Sequence, residues 1–384
     1  MSNILNVILL TTFWALSFVN NSGWAESVKL PEYTTWFVIA VSLYLFLFRR
    51  RRDLCKNQQL INVGLVLTII IIPFIVSNKW EGAGYFQAFM VTYLVSYCKI
   101  TQWVITRACL IVGLLGIVIL GIYINGSVLS GWNDNAIAMT GLFSFLFFSI
   151  FLISLKSNKE FICWNIVTVI YLAMLFQTEC RSGMIFAVLA VAAIYFQKTT
   201  KKILSKKYAI RLLLNLPLIL AFIIILIGGS DYFDDLNSWS REEFQKGVFN
   251  GRDELWSKAL EELSESYYLG TGKFTMNYHN SGIAALCVFG IAGYIFWIKY
   301  FSSRLNLLRI FFSDKIVFAS IVTFLCIFLQ QTFELGLITP MPNYIPYMIL
   351  GIGMGRAYRV LKFMQATKNE KPTGQHHNSR LQYR

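Results

Sequence analysis

Apolar runs of about twenty residues recur from one end of this chain to the other. A helix of that length crosses the hydrocarbon core of a bilayer, where each backbone polar group must find its partner inside the segment. The composition agrees, because 56% of the 384 residues are hydrophobic and only 14% are charged. Short segments of alternating polarity, the pattern of a membrane β-barrel, are absent from the sequence. The sequence therefore predicts an all-α polytopic membrane protein.

About twelve transmembrane helices account for these runs. The predicted spans are 3–19, 35–48, 60–77, 84–98, 108–124, 138–154, 161–177, 182–197, 212–228, 281–298, 316–338 and 343–356. They divide the chain into nine helices over 1–228, one large loop over 229–280, three helices within 281–362 and a disordered tail over 363–384.

Lysine and arginine fall mainly on one side of this predicted topology. The loops after the second, fourth, sixth, eighth and tenth spans and the C-terminal tail hold 26 of the 34 lysines and arginines. The positive-inside rule then places both termini in the cytoplasm and loop 229–280 on the opposite face. Residues 3–19 lack a basic segment before them, which favours a retained signal anchor over a cleaved signal peptide. The net charge of +14 reflects this topology, so no nucleic acid partner is expected.

Cysteine and histidine show no metal-ligand or disulfide pattern in the sequence. The seven cysteines are scattered without a C-x-x-C pair, and most lie in or beside apolar runs. Of the three histidines, His376 and His377 lie in the polar tail, where a solvated role is expected. His279 is then the one histidine beside a predicted span.

The large loop is acidic and contains a predicted amphipathic helix. Half of the 20 acidic residues lie in this loop, and those of the helix are expected to form a solvated face. Asn250 is predicted as the N-cap of the segment that starts at Gly251. An apolar face recurs at helical spacing, formed by Leu255, Ala259, Leu260 and Leu263. This helix is therefore expected to lie on the membrane surface or to pack over the bundle.

Two arginines and one glutamate stand where a charge is costly without a partner. Arg181 lies between two apolar runs with almost no loop; it either binds an anion or snorkels to the interface, with Glu179 as a pairing alternative. Arg252 begins the loop helix, where the positive end of the helix dipole also attracts an anion. Glu334 falls inside predicted span 316–338, either as a proton-relay or ligand group or as an acid hydrogen-bonded between helices.

His279 is the strongest single candidate for acid–base chemistry. An ordinary imidazole pKa of about 6.5 allows it to accept a proton near neutrality. The alternative is a histidine that caps the following helix, but Asn280 and Ser281 are better capping residues. Gly290 and its neighbouring glycines predict a small-residue face on that helix for close helix–helix packing.

These residues occur in an order that resembles the O-antigen ligase/polymerase superfamily. At the level of motifs the resemblance covers about a third of the chain, and the layout of about twelve spans with one large late loop extends it to the whole. The matching motifs are Gly251-Arg252 with Trp256 and Ala259, Gly270-x-Gly272, His279-Asn280-Ser281, Gly290-x-x-Gly293, and Arg181-Ser182-Gly183 upstream.

The resemblance implies a GT-C-like glycosyltransferase of the bacterial inner membrane, with its active site facing the periplasm. Such enzymes move a glycan from undecaprenyl diphosphate to a sugar hydroxyl with inversion, without a cofactor or metal, among membrane lipids. The implied catalytic residues are Arg181 and Arg252, which would hold the diphosphate, and His279, which would act as base. The further substrate-binding residues that it implies are Arg241, Gly270, Gly272, Asn280 and Ser281.

Several functions remain open at this point. A ligase would pass the glycan to the lipid A-core oligosaccharide, and the single large late loop favours this over a polymerase that joins lipid-linked repeats. A transporter of the same lipid-linked sugars would carry midplane charges, for which Glu334 is the one candidate. A metal-dependent route would use the acidic cluster Asp231, Asp234 and Asp235.

Overall fold

The computed structural model describes residues 3–19, 33–34, 36–38, 40, 58–79, 81–97, 100–126, 134–178, 180–228, 230, 235, 237–239, 242, 251–339 and 343–369. Within these ranges the regular structure is helical, with no strand. The main helices are α1 (Asn3–Val19), α2 (58–77), α3 (Glu81–Tyr97), α4 (Gln102–Ile124), α5 (Asp134–Ser154), α6 (Asn158–Gln177), α7 (Arg181–Tyr195), α8 (Gln197–Leu204), α9 (Lys207–Gly228), α10 (Arg252–Glu265), α11 (Ser281–Leu308), α12 (Lys315–Gln330) and α13 (Ile345–Asn369).

Six of the described helices are long and apolar enough to cross a membrane, namely α2, α4, α5, α6, α9 and α11. Helices α7 and α8 pass the same test as a pair bent by 99°. A π-helical turn over Val66–Ile71 interrupts α2 just before Pro73, which has no backbone N–H to donate to the Ile69 carbonyl. The described part of the chain is thus all-helical, and its long apolar helices are those of a membrane protein.

A helix lies at each predicted span that the structure describes; of span 35–48 only residues 36–38 and 40 are described, and these are helical. The prediction was wrong at the end of span 316–338, because α12 stops at Gln330 and an irregular segment follows. It was also wrong at the start of the tail, since α13 continues without a break to Asn369. That tail segment carries good helix formers, which extend the helix beyond its apolar part.

Helix α5 lies at the centre of the bundle. Of the apolar membrane-length stretch of α5, 94% of the residues are buried. In α6 the share is 17%, so α6 lies at the periphery. α4, α7 and α12 surround α5, and α11 packs against α9 and α2. Exposed isoleucines and valines cover the outer face of α6, as in a helix that meets lipid.

Among the described residues, the loops predicted on one side of the membrane after the sixth, eighth and tenth spans meet at one end of the bundle, together with α13. At this lysine-rich end, Lys315 donates to the Leu155 carbonyl (3.0 Å) and Arg309 to the Ser205 carbonyl. Arg356 forms an ion pair with Asp314 (2.8 Å) there. At the opposite end, Ser77 donates to the Gly272 carbonyl (3.1 Å). The loop after α10 and the start of α11 therefore belong to the end away from these basic residues.

Candidate active site

The loop that follows α10 packs against a break in α11. Gly290 has φ 71° and ψ −179°, which opens the helix at that residue. Gly270, in the loop, also has a positive φ of 91°. A Cβ on Gly270 would lie 2.4 Å from the Gly290 nitrogen, and one on Gly290 would lie 2.4 Å from the Leu269 carbonyl oxygen. The two backbones are in direct contact, which only glycine allows at both positions.

Backbone hydrogen bonds replace those that α11 loses at the break. The amides of Thr271 and Gly272 donate to the carbonyls of Cys287 (2.8 Å) and Val288 (3.1 Å). In return, the Ile291 amide donates to the Tyr268 carbonyl (3.2 Å). The loop thus satisfies buried polar groups that the opened helix leaves without intrahelical partners. The prediction of a small-residue face for helix–helix packing was wrong at Gly290, which meets the loop. It is confirmed at Gly282, where an added Cβ would lie 3.0 Å from the Leu218 nitrogen of α9.

Gly272 holds the far side of the loop against α2. A Cβ on Gly272 would lie 2.5 Å from the Pro73 carbonyl oxygen, so α2 and the loop touch through their backbones. Both Gly270 and Gly272 are buried by these contacts. We assign the two glycines to the shape of the loop, and their contact with substrate stays a prediction.

Helix α10 packs over the bundle, the second of the two placements that its sequence allowed. It contacts α9 and α11 and buries Trp256, Ala259 and Leu263. The indole nitrogen of Trp256 donates to the Tyr278 carbonyl (2.6 Å), with the indole fully buried. Because Tyr278 precedes His279, this bond fixes the backbone that carries the imidazole.

Asn280 joins three elements at the start of α11. As the N-cap, its side-chain oxygen accepts from the amides of Gly282 (2.7 Å) and Ile283 (3.0 Å). Its amide nitrogen donates to the carbonyls of Pro217 and Thr332, both at 3.0 Å. The expectation that Asn280 caps the helix is confirmed.

Ser281 is as deeply buried as its neighbour Asn280. Its amide donates to the Gln331 carbonyl (2.9 Å), and its hydroxyl to the Gln331 side-chain oxygen (3.3 Å). Asn280 is 0% exposed and Ser281 1% exposed. We assign both residues to the scaffold, and their role in substrate binding stays a prediction.

His279 lies at the rim of this scaffold. Its φ of 47° is in the left-handed region, which is uncommon for a residue with a side chain. The half-buried imidazole has a pKa below its ordinary value, first because burial disfavours the charged form and second because the Arg252 guanidinium is close. The ring is therefore neutral at neutral pH, with one nitrogen able to accept a proton.

Arg252 is the first residue of α10, with Gly251 rather than the predicted Asn250 at the N-cap position. Its Nη2 donates to the Phe333 carbonyl (2.9 Å), and its guanidinium carbon lies 5.8 Å from the centre of the Phe333 ring. These contacts hold a partly buried cation beside His279. The structure therefore brings Arg252 and His279 together, although 26 residues separate them in the sequence.

Glu334 is a third ionisable group at the same place. Burial raises the pKa of its carboxyl above the ordinary value, and nearby Arg252 opposes that rise. Its predicted position inside a span was wrong, because it lies beyond the end of α12. Because Phe333 and Leu335 on either side of it are apolar, the sequence placed Glu334 within an apolar span.

Two other predicted site residues are described less fully. Arg181 is the first residue of α7, after the buried Cys180, and its side chain lies outside the described residues. Arg241 lies outside them as well. Neither residue's part in binding a diphosphate is tested, so both stay predictions.

The described part of the chain holds no group of three His, Cys, Asp or Glu side chains placed to bind a metal ion. Of the acidic cluster weighed for such a site, Asp231 and Asp234 lie outside the described residues. The chemistry that the described residues offer is a neutral imidazole, a fixed guanidinium and a partly buried carboxyl at one end of a helical bundle.

Comparison with protein-family models, with curated proteins and with solved structures finds no match for this chain. The geometry of the site, taken together with the sequence motifs, is therefore the basis for assigning a function.

Proposed function

We propose that this chain is a glycosyltransferase of the O-antigen ligase/polymerase type, acting as the ligase. It would transfer a glycan from undecaprenyl diphosphate to a sugar hydroxyl of the lipid A-core oligosaccharide, on the periplasmic face of the bacterial inner membrane. The observation that carries the proposal is that Arg252 and the residue after His279 bind successive carbonyls of one segment, Arg252 that of Phe333 and Asn280 that of Thr332, at the end of the bundle away from the basic loops. A fold of about twelve spans with a GT-C-like arrangement belongs to the same proposal.

Each of the two groups suits one half of an inverting transfer. The neutral His279 takes the proton of the acceptor hydroxyl as its oxygen attacks the anomeric carbon. The bond from that carbon to the phosphate oxygen breaks on the opposite face, and its electron pair leaves with the lipid diphosphate. Arg252, and Arg181 by resemblance, bind this growing negative charge through charge-assisted hydrogen bonds.

The position of Glu334 favours an enzyme over a transporter. The transporter hypothesis relied on Glu334 as a charge near the bilayer midplane. Glu334 instead follows the end of α12, in the segment that Arg252 holds by the Phe333 carbonyl. The charges of this region thus gather where a lipid diphosphate headgroup would meet the bundle.

The test is transfer by the purified protein from an undecaprenyl-diphosphate-linked glycan to lipid A-core. His279→Ala, Arg252→Ala and Arg181→Ala are each expected to abolish transfer, with folded protein recovered at normal yield. Loss of base catalysis alone is expected to lower the transfer rate by about 10²–10⁴-fold. Arg107→Ala, an exposed arginine over Trp103, and Lys273→Ala, in the site loop, are matched controls that are expected to keep wild-type rates.

Each alternative has its own outcome in this assay. Extension of a lipid-linked repeat, with none passed to core, would identify a polymerase. If the correctly folded protein forms no product with either acceptor, the transporter hypothesis would be favoured. Strict dependence on Mg²⁺ or Mn²⁺ would move the reaction to the aspartates of the large loop, whereas we expect transfer to continue in a chelator.

A further inference from the structure

The segment after α12 follows the start of α11 and is held there residue by residue. The Gln331 carbonyl accepts from the Ser281 amide (2.9 Å), and the Thr332 carbonyl from the Asn280 side chain (3.0 Å). The Phe333 carbonyl accepts from Arg252 (2.9 Å). Three successive carbonyls are thus fixed by the residues beside His279, and Glu334 comes next in the chain. The position of its backbone is set by the candidate site itself.

The ionisable and polar groups on the elements around this segment can be named in turn, and of these Arg252 is the one that acts on the carboxyl of Glu334. α10 contributes Arg252, and the loop before α11 contributes His279, which lies next to Asn280 and within the field of Arg252. α11 and α9 present the uncharged Ser281 and the Pro217 carbonyl to this segment. α13 contributes the Tyr347 hydroxyl, which donates to the Leu337 carbonyl (3.1 Å). α7, which packs on α12, begins with Arg181.

A carboxylate at this position conflicts with the proposed donor. Arg252 is the group expected to bind the diphosphate, so the lipid headgroup must come close to Glu334. Two negative groups in a partly buried site repel each other strongly. Burial already favours the neutral form of Glu334, and an arriving anion favours it further, because the pKa of a carboxyl rises beside negative charge.

We propose that Glu334 is a neutral carboxylic acid when the donor is bound, and that it donates a hydrogen bond to the diphosphate held by Arg252. The inference depends on the proposed function, whose donor it describes more closely. Binding of the diphosphate takes up one proton from solvent onto Glu334, and this proton stays on the carboxyl throughout the transfer. The proton of the acceptor hydroxyl goes separately to His279, so the two proton sites do not exchange roles.

A proton taken up on binding makes donor affinity depend on pH. Above the pKa of Glu334 the wild-type protein must protonate the acid before binding, and affinity falls by up to about tenfold per pH unit. Glu334→Gln keeps the shape and a hydrogen-bond donor without a titrating group. Its affinity for the diphosphate should therefore lack this part of the pH dependence.

The experiment measures the dissociation constant of undecaprenyl diphosphate, without glycan, for the full-length protein in detergent from about pH 5.5 to 8.5. The diphosphate titrates in the same range, so the result is the difference in slope between wild type and Glu334→Gln. We expect a steeper loss of affinity with pH for wild type, and similar affinities at the acidic end. Glu261→Gln, an exposed acid on α10, should keep the wild-type slope.

Two results would overturn the inference. Equal slopes for wild type and Glu334→Gln would show that no proton is taken up at this residue. Loss of binding in Glu334→Gln as complete as in Glu334→Ala would show that a charged carboxylate is required. Failure of the proposed function looks different, since wild type would then not bind undecaprenyl diphosphate at any pH, or His279→Ala would retain full transfer.

Discussion

Gly270 and Gly290 lie backbone against backbone, one in the loop after α10 and the other at the break in α11. Neither position leaves room for a Cβ atom. This contact fixes how far the loop turns before it reaches Tyr278 and His279. The geometry of the candidate site therefore begins with two glycines that carry no chemistry themselves.

Gly290→Ala is expected to destabilise the protein severely. The new Cβ would meet the Leu269 backbone at 2.4 Å, in addition to the strain of a positive φ. Gly126 is a matched control, since its φ is 70° and a Cβ added there would have nothing within 4 Å. We expect Gly126→Ala to cost about 1–2 kcal/mol from backbone strain alone, and Gly290→Ala about 3 kcal/mol or more. Thermal unfolding in detergent measures the ranking, and equal shifts for the two variants would contradict the close contact.

Trp256→Phe is expected to reduce transfer more than it reduces stability. The change removes the N–H that binds the Tyr278 carbonyl and leaves that buried oxygen unsatisfied, at a cost of about 1–3 kcal/mol. The freed backbone lies next to His279, so the imidazole loses its fixed position. Trp103→Phe, at an exposed position on α4, is the control and should change neither quantity. Rates normalised to folded protein, compared with the unfolding temperature, separate the two effects.

Asn280→Ala is expected to cost about 2–4 kcal/mol. It removes the N-cap of α11 and the two hydrogen bonds that tie α11 to α9 and to the segment after α12. Asn125→Ala removes one exposed side-chain bond at the end of α4 and should cost about 0.5 kcal/mol or less. Thermal unfolding of both variants under the same conditions decides the matter. An effect of Asn280→Ala as small as that of Asn125→Ala would mean that these bonds do not hold the elements together.

The helices were predictable because the length of an apolar run limits what it can form. The end of α12 was not, since the apolar run continues past the point where the helix stops. The helix ends there because Gln331 accepts two hydrogen bonds from outside it. Its carbonyl accepts from the Ser281 amide, and its side-chain oxygen accepts from the Leu337 amide. The contact with Ser281 joins residues far apart in the chain, and hydrophobic periodicity carries no information about it.

The candidate site was predictable as a set of residue types and not as a geometry. His279 and Arg252 could be singled out one at a time, the first as a lone histidine and the second as a charge at a helix start. Their proximity arises because the Gly270 turn returns the chain to α10, which no local pattern shows. Glu334 was predicted inside a helix because no local pattern shows where α12 ends. It belongs to the site because α12 stops at Gln330, before it.

The protonation of His279 can be measured directly, without reference to any reaction. In the variant His376→Gln/His377→Gln the imidazole of His279 is the only one left, and its NMR signals can be followed against pH. We expect a midpoint below about 6.5, because burial and Arg252 both disfavour the charged ring. The unfolded chain then binds this proton at higher pH than the folded one, so stability should rise with pH between the folded midpoint and about 6.5.

Arg252→Gln tests the cause of that shift. Removing the guanidinium should raise the midpoint part of the way towards the ordinary value, since burial, the larger cause, remains. Arg107→Gln changes an equivalent charge on α4, at the other end of the bundle, and should leave the midpoint unchanged. A midpoint at or above about 6.5 in the parent variant would contradict the effect of burial and of Arg252 on the imidazole. Only a midpoint above neutrality would leave the ring protonated where a base must be free, and the proposed role of the imidazole would then fail.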